Sequence, residues 1–273
     1  MANAGCEQVL ATRSLTVESL RRKIDRLEGV ARRAAGQPLS SGCPALDCLL
    51  PQKGFGRGSL IEWLAAGPGS GAEILAIAAA REACRQGGML VVLDQTGEFY
   101  PPAAVRAGIE LEQLIVVRTA AEGDYRWALD QALRCTAVAA TLAWLEKIDG
   151  HTFRRLQLAV EEGGGLGLLL RPEHARHEPS WADVRLLVEP RKRSDFRSQI
   201  SEFKFQSSEF GGQLSAVSGN ASRRVRITLL RCRGGADGSC VDVEIDDETH
   251  SLHPELAAAG IEHPRSGRLV PAV

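Results

Sequence analysis

The sequence predicts an α/β fold with a mostly parallel, twisted sheet that is covered by helices on both faces. Between residues 39 and 190, short apolar runs alternate with helix-length amphipathic segments, which is the pattern of βαβ units. One of these runs, Met89–Leu93, is apolar throughout, as expected for a strand that is buried on both faces. In the last third of the chain the runs alternate apolar and polar residues, which predicts antiparallel strands at one edge of the sheet.

The predicted elements follow one another in a regular order. Parallel strands are predicted at residues 60–64, 89–93, 114–117, 137–145 and 166–170. Helices are predicted between them at residues 74–86, 102–107, 125–134 and 153–162, most of them ended by glycine. Strands of the antiparallel edge are predicted at residues 184–188, 225–230 and 241–245.

We divide the chain into three parts. Residues 1–36 are predicted to form an N-terminal amphipathic helix and a linker, with Leu20, Ile24 and Leu27 on one face of the helix. Residues 37–248 form the core, and within it residues 191–222, rich in Ser, Gly, Gln and charge, are expected to form a partly disordered hairpin insertion. Residues 249–273 form a C-terminal tail with no assigned structure.

The overall composition excludes several classes of protein. The 273 residues carry 33 basic and 34 acidic side chains, so a uniformly basic protein that coats nucleic acid is excluded, although a local basic patch is not. No apolar run reaches the roughly 20 residues that cross a membrane, and no secretory signal is apparent. The seven cysteines form no CxxC motif, so we expect a cytoplasmic protein with reduced thiols, and buried positions for Cys43 and Cys48.

A glycine-rich loop follows the first predicted core strand. A phosphate-binding loop has the pattern GxxxxGK followed by Ser or Thr, between a strand and a helix. Ala72 stands here in place of the lysine and Glu73 in place of the hydroxyl, and a carboxylate repels a polyphosphate by ~4 kcal/mol at a separation of ~4 Å near a protein surface. We therefore favour a loop kept for packing over a working ATP site. The corresponding eight residues are Ala66, Gly67, Pro68, Gly69, Ser70, Gly71, Ala72 and Glu73.

The order of these motifs resembles the RecA-type recombinase core. More specifically, it resembles the ImuA family, the RecA-like members of the bacterial ImuA–ImuB cassette for mutagenic translesion synthesis. The most similar stretches read RRLQLAVEEGGG, followed by LLLRP, and RVRITLLRCRGG. Segments 14–28, 39–62, 93–101, 154–172 and 224–235 carry the resemblance, which covers about residues 14–245 and implies a RecA-like P-loop core.

The resemblance also indicates where the catalytic groups of a RecA-type ATPase fall in this chain. The catalytic glutamate falls on Thr96, and the aspartate that ends a core strand falls on Trp144. The glutamine that senses the γ-phosphate falls on Arg171 or Leu170. Together with the replacements in the glycine-rich loop, these losses predict a protein that is not an enzyme. We expect no cofactor and no metal site, and a RecA-like scaffold that is reused for binding.

Basic residues concentrate between residues 185 and 233. This segment has eleven Lys and Arg against four acids, interleaved with four phenylalanines. Arginines that contact phosphates and aromatics that stack on bases are typical of a surface that binds single-stranded DNA. A solvated hairpin whose aromatics pack locally explains the composition equally well. The candidate DNA contacts are Arg191, Lys192, Arg193, Arg197, Arg223 and Arg224.

From the resemblance we expect a noncatalytic accessory protein of error-prone translesion synthesis in the SOS response to DNA damage, which bridges RecA and an ImuB-type polymerase homologue. The stripe of Leu20, Ile24 and Leu27 is expected to dock on RecA or on another copy of this chain, or to fold back on its own core. Three alternatives stay open: an active DNA-dependent ATPase of the RecA superfamily, an inhibitor or cap of RecA filaments, and a plain single-strand-binding module.

Overall fold

A computed structural model describes residues 36–119, 121–191, 222–235, 237–246 and 252–254 of the chain. Residues 1–35 of the predicted N-terminal helix and linker, and residues 192–221 of the predicted insertion, lie outside them. The described strands are β1 (Ser59–Ala65), β2 (Met89–Leu93), β3 (Leu114–Val117), β4 (Val138–Trp144), β5 (Leu166–Pro172), β6 (Val184–Arg191), β7 (Ser222–Cys232), β8 (Cys240–Asp246) and β9 (Leu252–Pro254). The described α-helices are α1 (Pro44–Leu49), α2 (Ala72–Arg85), α3 (Pro101–Arg106), α4 (Glu122–Arg134) and α5 (Gly150–Gly163).

The described strands form one sheet in the order β3-β2-β4-β5-β1-β6-β7-β8-β9. The first six strands in this order, which end with β6, run parallel to one another, and β7, β8 and β9 continue the sheet in antiparallel fashion. This arrangement confirms the predicted α/β class with a mostly parallel sheet and an antiparallel C-terminal edge. All strands and helices predicted for the core are present.

Helices cover the two faces of the sheet, as the alternating pattern predicts. On one face α2 packs through a row of alanines, among them Ala76 and Ala80, whose small side chains let the helix lie close to the sheet. On the opposite face α4 and α5 contribute Leu133, Phe153 and Val160 to a second apolar layer. The central strands are therefore buried on both sides, which explains why their sequences are mostly apolar.

The antiparallel edge extends further than the sequence indicates. Strand β6 extends to Arg191 and strand β7 begins at Ser222, and the last pair of their antiparallel ladder is Arg191–Arg224. The two ends of the predicted insertion at 191–222 are thus strand residues. A further strand, β9, lies in the tail that the sequence left unassigned and pairs with β8.

Candidate functional site

A cleft of about 810 Å³ opens at the carboxyl ends of β1, β4 and β5, next to the glycine-rich loop. Ligands of open α/β folds bind at the carboxyl ends of the strands, because loops that leave neighbouring strands diverge there. The cleft therefore lies where the sequence places the nucleotide site of a RecA-like core. Its lining includes residues 67–74, Thr96, Tyr125, Arg126, Trp144, Lys147, Arg171 and Arg223.

The loop between β1 and α2 keeps the conformation of a tight strand-to-helix turn. Gly67, Gly69 and Gly71 have φ angles of +102°, +70° and +87°, a region that side chains other than glycine rarely adopt. At Gly71 a Cβ atom would also lie 2.7 Å from Cδ1 of Ile245 in β8. Strand β8 of the antiparallel edge thus packs against the loop, and this close contact is by itself a reason for glycine at position 71.

The side chains at the end of the loop match neither the lysine nor the hydroxyl of a phosphate-binding loop. Ala72 is buried at the first position of α2, and Glu73 extends into the cleft in the first helical turn. Partial desolvation there raises the pKa of Glu73 above its usual range. A positive charge comes instead from Arg223 in β7, whose Nη1 donates to the Gly69 carbonyl at 3.3 Å.

Arg171, predicted at the γ-phosphate-sensing position, is part of the buried wall of the cleft. Its Nη1 donates to Oε1 of Glu62 at 2.7 Å and its Nη2 to Oε2 of Glu178 at 2.6 Å. The same guanidinium donates to the carbonyls of Leu145 and Glu146 at the end of β4. Hydrogen bonding from Arg171 lowers the pKa of Glu178 below its usual range. Arg171 is therefore a structural ion-pair partner.

Glu62 stands at the centre of this buried charge cluster. Its second carboxylate oxygen accepts hydrogen bonds from Arg185 in β6 and from Oγ of Ser180 at 2.8 Å. Arg185 also donates to the carbonyl of Ala175 at 2.9 Å, so the cluster fixes the segment between β5 and β6. Sequence reasoning missed this role, although a glutamate in the middle of an otherwise apolar strand is a signal, because buried charges require partners.

Thr96 and Trp144, the other two positions at which the loss of a catalytic group is predicted, also line the cleft. Thr96 is exposed in the turn after β2, which Asp94 fixes by accepting hydrogen bonds from two backbone amides that follow it. Trp144 ends β4, and its ring packs 6.1 Å from the ring of Phe99. Its carbonyl accepts a hydrogen bond from Tyr125 at 3.0 Å.

Part of the predicted DNA-binding surface lies beside the glycine-rich loop. Arg191 and Arg224 face each other across β6 and β7, and Arg224 in turn faces Glu244 of β8. With Arg223 they border a cavity of about 240 Å³ that reaches Gly69. The structure thus brings three of the six candidate residues together, while Lys192, Arg193 and Arg197 lie outside the described residues.

The cysteines only partly follow the sequence prediction. Cys43 is buried, and its surroundings raise the pKa of its thiol, chiefly through desolvation. Cys48 is exposed on α1, so the expectation that it is buried is wrong. In the described ranges no three His, Cys, Asp or Glu side chains converge as metal ligands. No described helix has both the length and the apolar character to cross a membrane.

Comparison with known proteins relates the chain to ImuA and RecA. It is 30% identical over 170 residues to the ImuA protein of Caulobacter vibrioides, a match that spans 62% of this chain and 66% of that protein. RecA of Rhodopirellula baltica is 30% identical over 111 residues, 40% of this chain and 29% of RecA. The cell division inhibitor SulA of Photorhabdus laumondii is 28% identical over 81 residues, 30% of this chain and 46% of SulA. No family model matches the chain.

Proposed function

We propose that this protein is a noncatalytic, cytoplasmic accessory protein of DNA-damage-induced mutagenesis, which uses a RecA-like core to bind protein partners. Its similarity to ImuA and to RecA supports a place in the DNA-damage response. The partners we propose are RecA and an ImuB-type polymerase homologue, which this protein bridges during error-prone translesion synthesis. Within the bridge, the core serves as a rigid platform rather than as a motor.

The observation that carries the noncatalytic role is the engagement of Arg171. A residue that senses a γ-phosphate must be able to change partners when the nucleotide arrives. Arg171 is instead fully buried and is held by the fully buried Glu62 and by the partly exposed Glu178, so exchange for a phosphate would break one ion pair that is shielded from water and a second one that is partly exposed. Glu73 at the start of α2 adds a carboxylate where a triphosphate requires positive charge.

Exposed aromatic side chains support a role in protein binding. Trp127 on α4 is 65% exposed, and Trp181 is exposed beside the guanidinium of Arg154, 4.9 Å from the ring. Tryptophan and arginine are enriched among the residues that contribute most to binding at protein interfaces. We therefore propose that this face of the core contacts one partner, and that the stripe of Leu20, Ile24 and Leu27 contacts another.

The proposal is tested by measuring partner binding and ATP turnover on the same purified full-length protein. We expect capture of RecA and of the ImuB-type homologue at micromolar concentration, and weaker capture of at least one of them after deletion of residues 1–29. We expect no phosphate release from ATP, with or without single-stranded DNA. Absence of binding to both partners rejects the bridging role. DNA-stimulated phosphate release that is lost on altering residues 66–73 identifies an active ATPase instead.

A further inference from the structure

Trp181 lies on the surface beside α5, and the residues on either side of it are anchored in the core. The hydroxyl of Ser180 donates to the buried Glu62 at 2.8 Å, and the same oxygen accepts a hydrogen bond from the Ala182 amide at 3.1 Å. Ala182 is itself fully buried in the apolar layer of α4 and α5. The indole ring, 42% exposed, is therefore held in place before a partner arrives, and such preorganisation lowers the entropy cost of binding.

Two guanidinium groups accompany this tryptophan. Arg154 of α5 lies over the indole ring, 4.9 Å from its centre. Arg231 of β7 is exposed, and its Nη1 donates to the carbonyl of Ser180 at 2.9 Å. The helix thus supplies one cation and the sheet supplies the other, and the two contact consecutive residues of the same segment.

Neither guanidinium has a carboxylate partner among the described residues. Arg154 donates to the side-chain carbonyl of Gln157, and Arg231 donates to the backbone. Arg155, the next residue of α5, pairs by contrast with Asp130 at 3.1 Å. Arg154 and Arg231 therefore carry positive charges that no described carboxylate neutralises. Other described arginines that do pair with carboxylates are Arg134, Arg171, Arg176, Arg185 and Arg233.

The acids that lie nearest to Trp181 along the chain are already engaged. Glu178 accepts a hydrogen bond from Arg171 at 2.6 Å, and Asp183 lies 3.3 Å from Nη1 of Arg233. A carboxylate that is paired in this way repels an incoming anion less than an unpaired one does. The charge around Trp181 therefore favours a negatively charged partner.

We propose that Trp181, Arg154, Arg231 and Leu158, which we call the Trp181 site, bind a short acidic peptide segment of a protein partner. Leu158 lies one turn from Arg154 on the same side of α5 and is 44% exposed. Each arginine can bind a carboxylate through two parallel hydrogen bonds, and Trp181 and Leu158 contact an apolar side chain of the segment. The site rests on the proposed accessory role and adds the chemistry that one partner must present.

Single-stranded DNA fits this surface less well than an acidic peptide does. Proteins that bind DNA single strands without sequence preference stack successive bases on several aromatic rings. In the part of the chain that the structure describes, no second aromatic ring packs against Trp181, and the Arg154 guanidinium covers one face of the indole. Leu158 offers aliphatic surface, which suits a peptide side chain better than a base.

Two short fluorescent peptides test the site on the full-length protein. In the first, glutamates flank a pair of leucines, and in the second, glutamines replace the glutamates. We expect the acidic peptide to bind at least about tenfold more tightly in anisotropy titrations, and R154E or R231E to abolish this preference. The matched control is R106E, which should leave it unchanged. Arg106 is likewise exposed with no described carboxylate partner, but it lies on α3 at the opposite face of the sheet.

A peptide of reversed charge separates recognition from a loss of stability. The double variant R154E/R231E should prefer a peptide with lysines in place of the glutamates, which a structural defect does not produce. Absence of that preference, equal binding of the acidic and glutamine peptides by the parent protein, or an equal loss in R106E overturns the site. Tighter binding of oligothymidylate than of the acidic peptide, if lost in R154E, assigns the surface to single-stranded DNA instead. Capture of RecA and of the ImuB-type homologue by the parent protein decides the accessory role separately.

Discussion

Nη1 of Arg171 lies 2.7 Å from Oε1 of Glu62, and both side chains are fully buried. The pair joins β5 to β1, the two central strands whose ends form the cleft. Arg185 and Glu178 complete the cluster, so that two guanidinium groups face two carboxylates. A buried ion pair of this kind is tolerated because every charge has a partner, and removal of one member leaves another charge uncompensated.

We expect R171Q to destabilise the protein strongly. The change leaves Glu178 without its buried partner and Glu62 with Arg185 as its remaining cation, and breaking a buried pair typically costs about 3–5 kcal/mol. The measurement is the free energy of unfolding from urea denaturation. The matched control is R126Q, because Arg126 also lines the cleft but pairs with Glu122 on the exposed surface. A loss of less than about 1 kcal/mol is expected there, and equal losses in the two variants contradict a structural role for Arg171.

We expect the double variant A72K/E73T to gain nucleotide affinity without gaining turnover. The loop keeps its turn and leads into the N-terminus of α2, which favours a phosphate once Glu73 is removed and a lysine is supplied. Hydrolysis is still expected to lack its base, because the resemblance to RecA-type ATPases places Thr96 at that position. Titration with a fluorescent ATP analogue should show at least about tenfold tighter binding, with no phosphate release.

The single variant E73Q is the control for that experiment. It removes the repulsive charge but adds no cation, so a smaller gain than in the double variant is expected. If A72K/E73T folds normally and binds no nucleotide, the loop serves strand–helix packing alone. If it hydrolyses ATP, Ala72 and Glu73 alone account for the absence of ATP hydrolysis in the parent protein, and the noncatalytic interpretation of Thr96 and Arg171 is wrong.

The sequence predicted those features that depend on neighbouring residues. The strands and helices of the core, the glycine-rich loop and the antiparallel edge all follow from local periodicity and turn chemistry. The predicted ends of helices are less accurate than their presence. Helix α5 begins at Gly150 rather than at residue 153, because the Asp149 side chain accepts a hydrogen bond from the Thr152 amide at 2.9 Å. Aspartate followed by threonine three residues later could have indicated this cap.

Contacts between distant parts of the chain were beyond the sequence. Glu62 lies 109 residues from Arg171 and 123 from Arg185, so no local pattern joins them. Arg223 lies 154 residues from Gly69, and its contact with the loop depends on how the antiparallel edge folds over the cleft. A single charged residue in an apolar strand signals that a buried partner exists but does not identify it.

We expect G71A to destabilise the protein more than G67A. Both glycines have positive φ angles, so an alanine costs about 1–2 kcal/mol of backbone strain at either position. A Cβ at Gly67 meets no described atom within 4 Å, whereas one at Gly71 would lie 2.7 Å from Ile245. Overpacking there adds about 1–3 kcal/mol, which thermal and urea denaturation can measure.

The variant I245V isolates the contribution of that contact. Removing the Cδ1 atom of Ile245 should recover part of the stability lost in G71A, while it costs about 0.5–1.5 kcal/mol by itself. A double-mutant cycle measures the coupling between the two positions. Strictly additive effects, or equal losses in G71A and G67A, show that the antiparallel edge does not support the loop.

The buried hydroxyl of Tyr125 predicts a loss of stability at alkaline pH. The hydroxyl donates to the carbonyl of Trp144 at 3.0 Å, and burial raises the pKa of Tyr125 to about 12. The unfolded chain has a tyrosine pKa of about 10. Because the folded-state pKa is the higher one, the stabilisation is complete below about pH 10. It declines as the pH rises toward 12, by roughly 1.4 kcal/mol for each pH unit.

The two tyrosines of the chain allow this prediction to be tested by substitution. We expect Y125F to cost about 1 kcal/mol at neutral pH, through the lost hydrogen bond, and to show a flatter decline in urea stability between pH 9 and pH 11, a range set by the pKa of about 10. Y100F, at an exposed position, should match the parent protein at every pH. If Y125F loses stability with rising pH as steeply as the parent protein does, other groups cause the decline, and the predicted role of the Tyr125 hydroxyl is wrong.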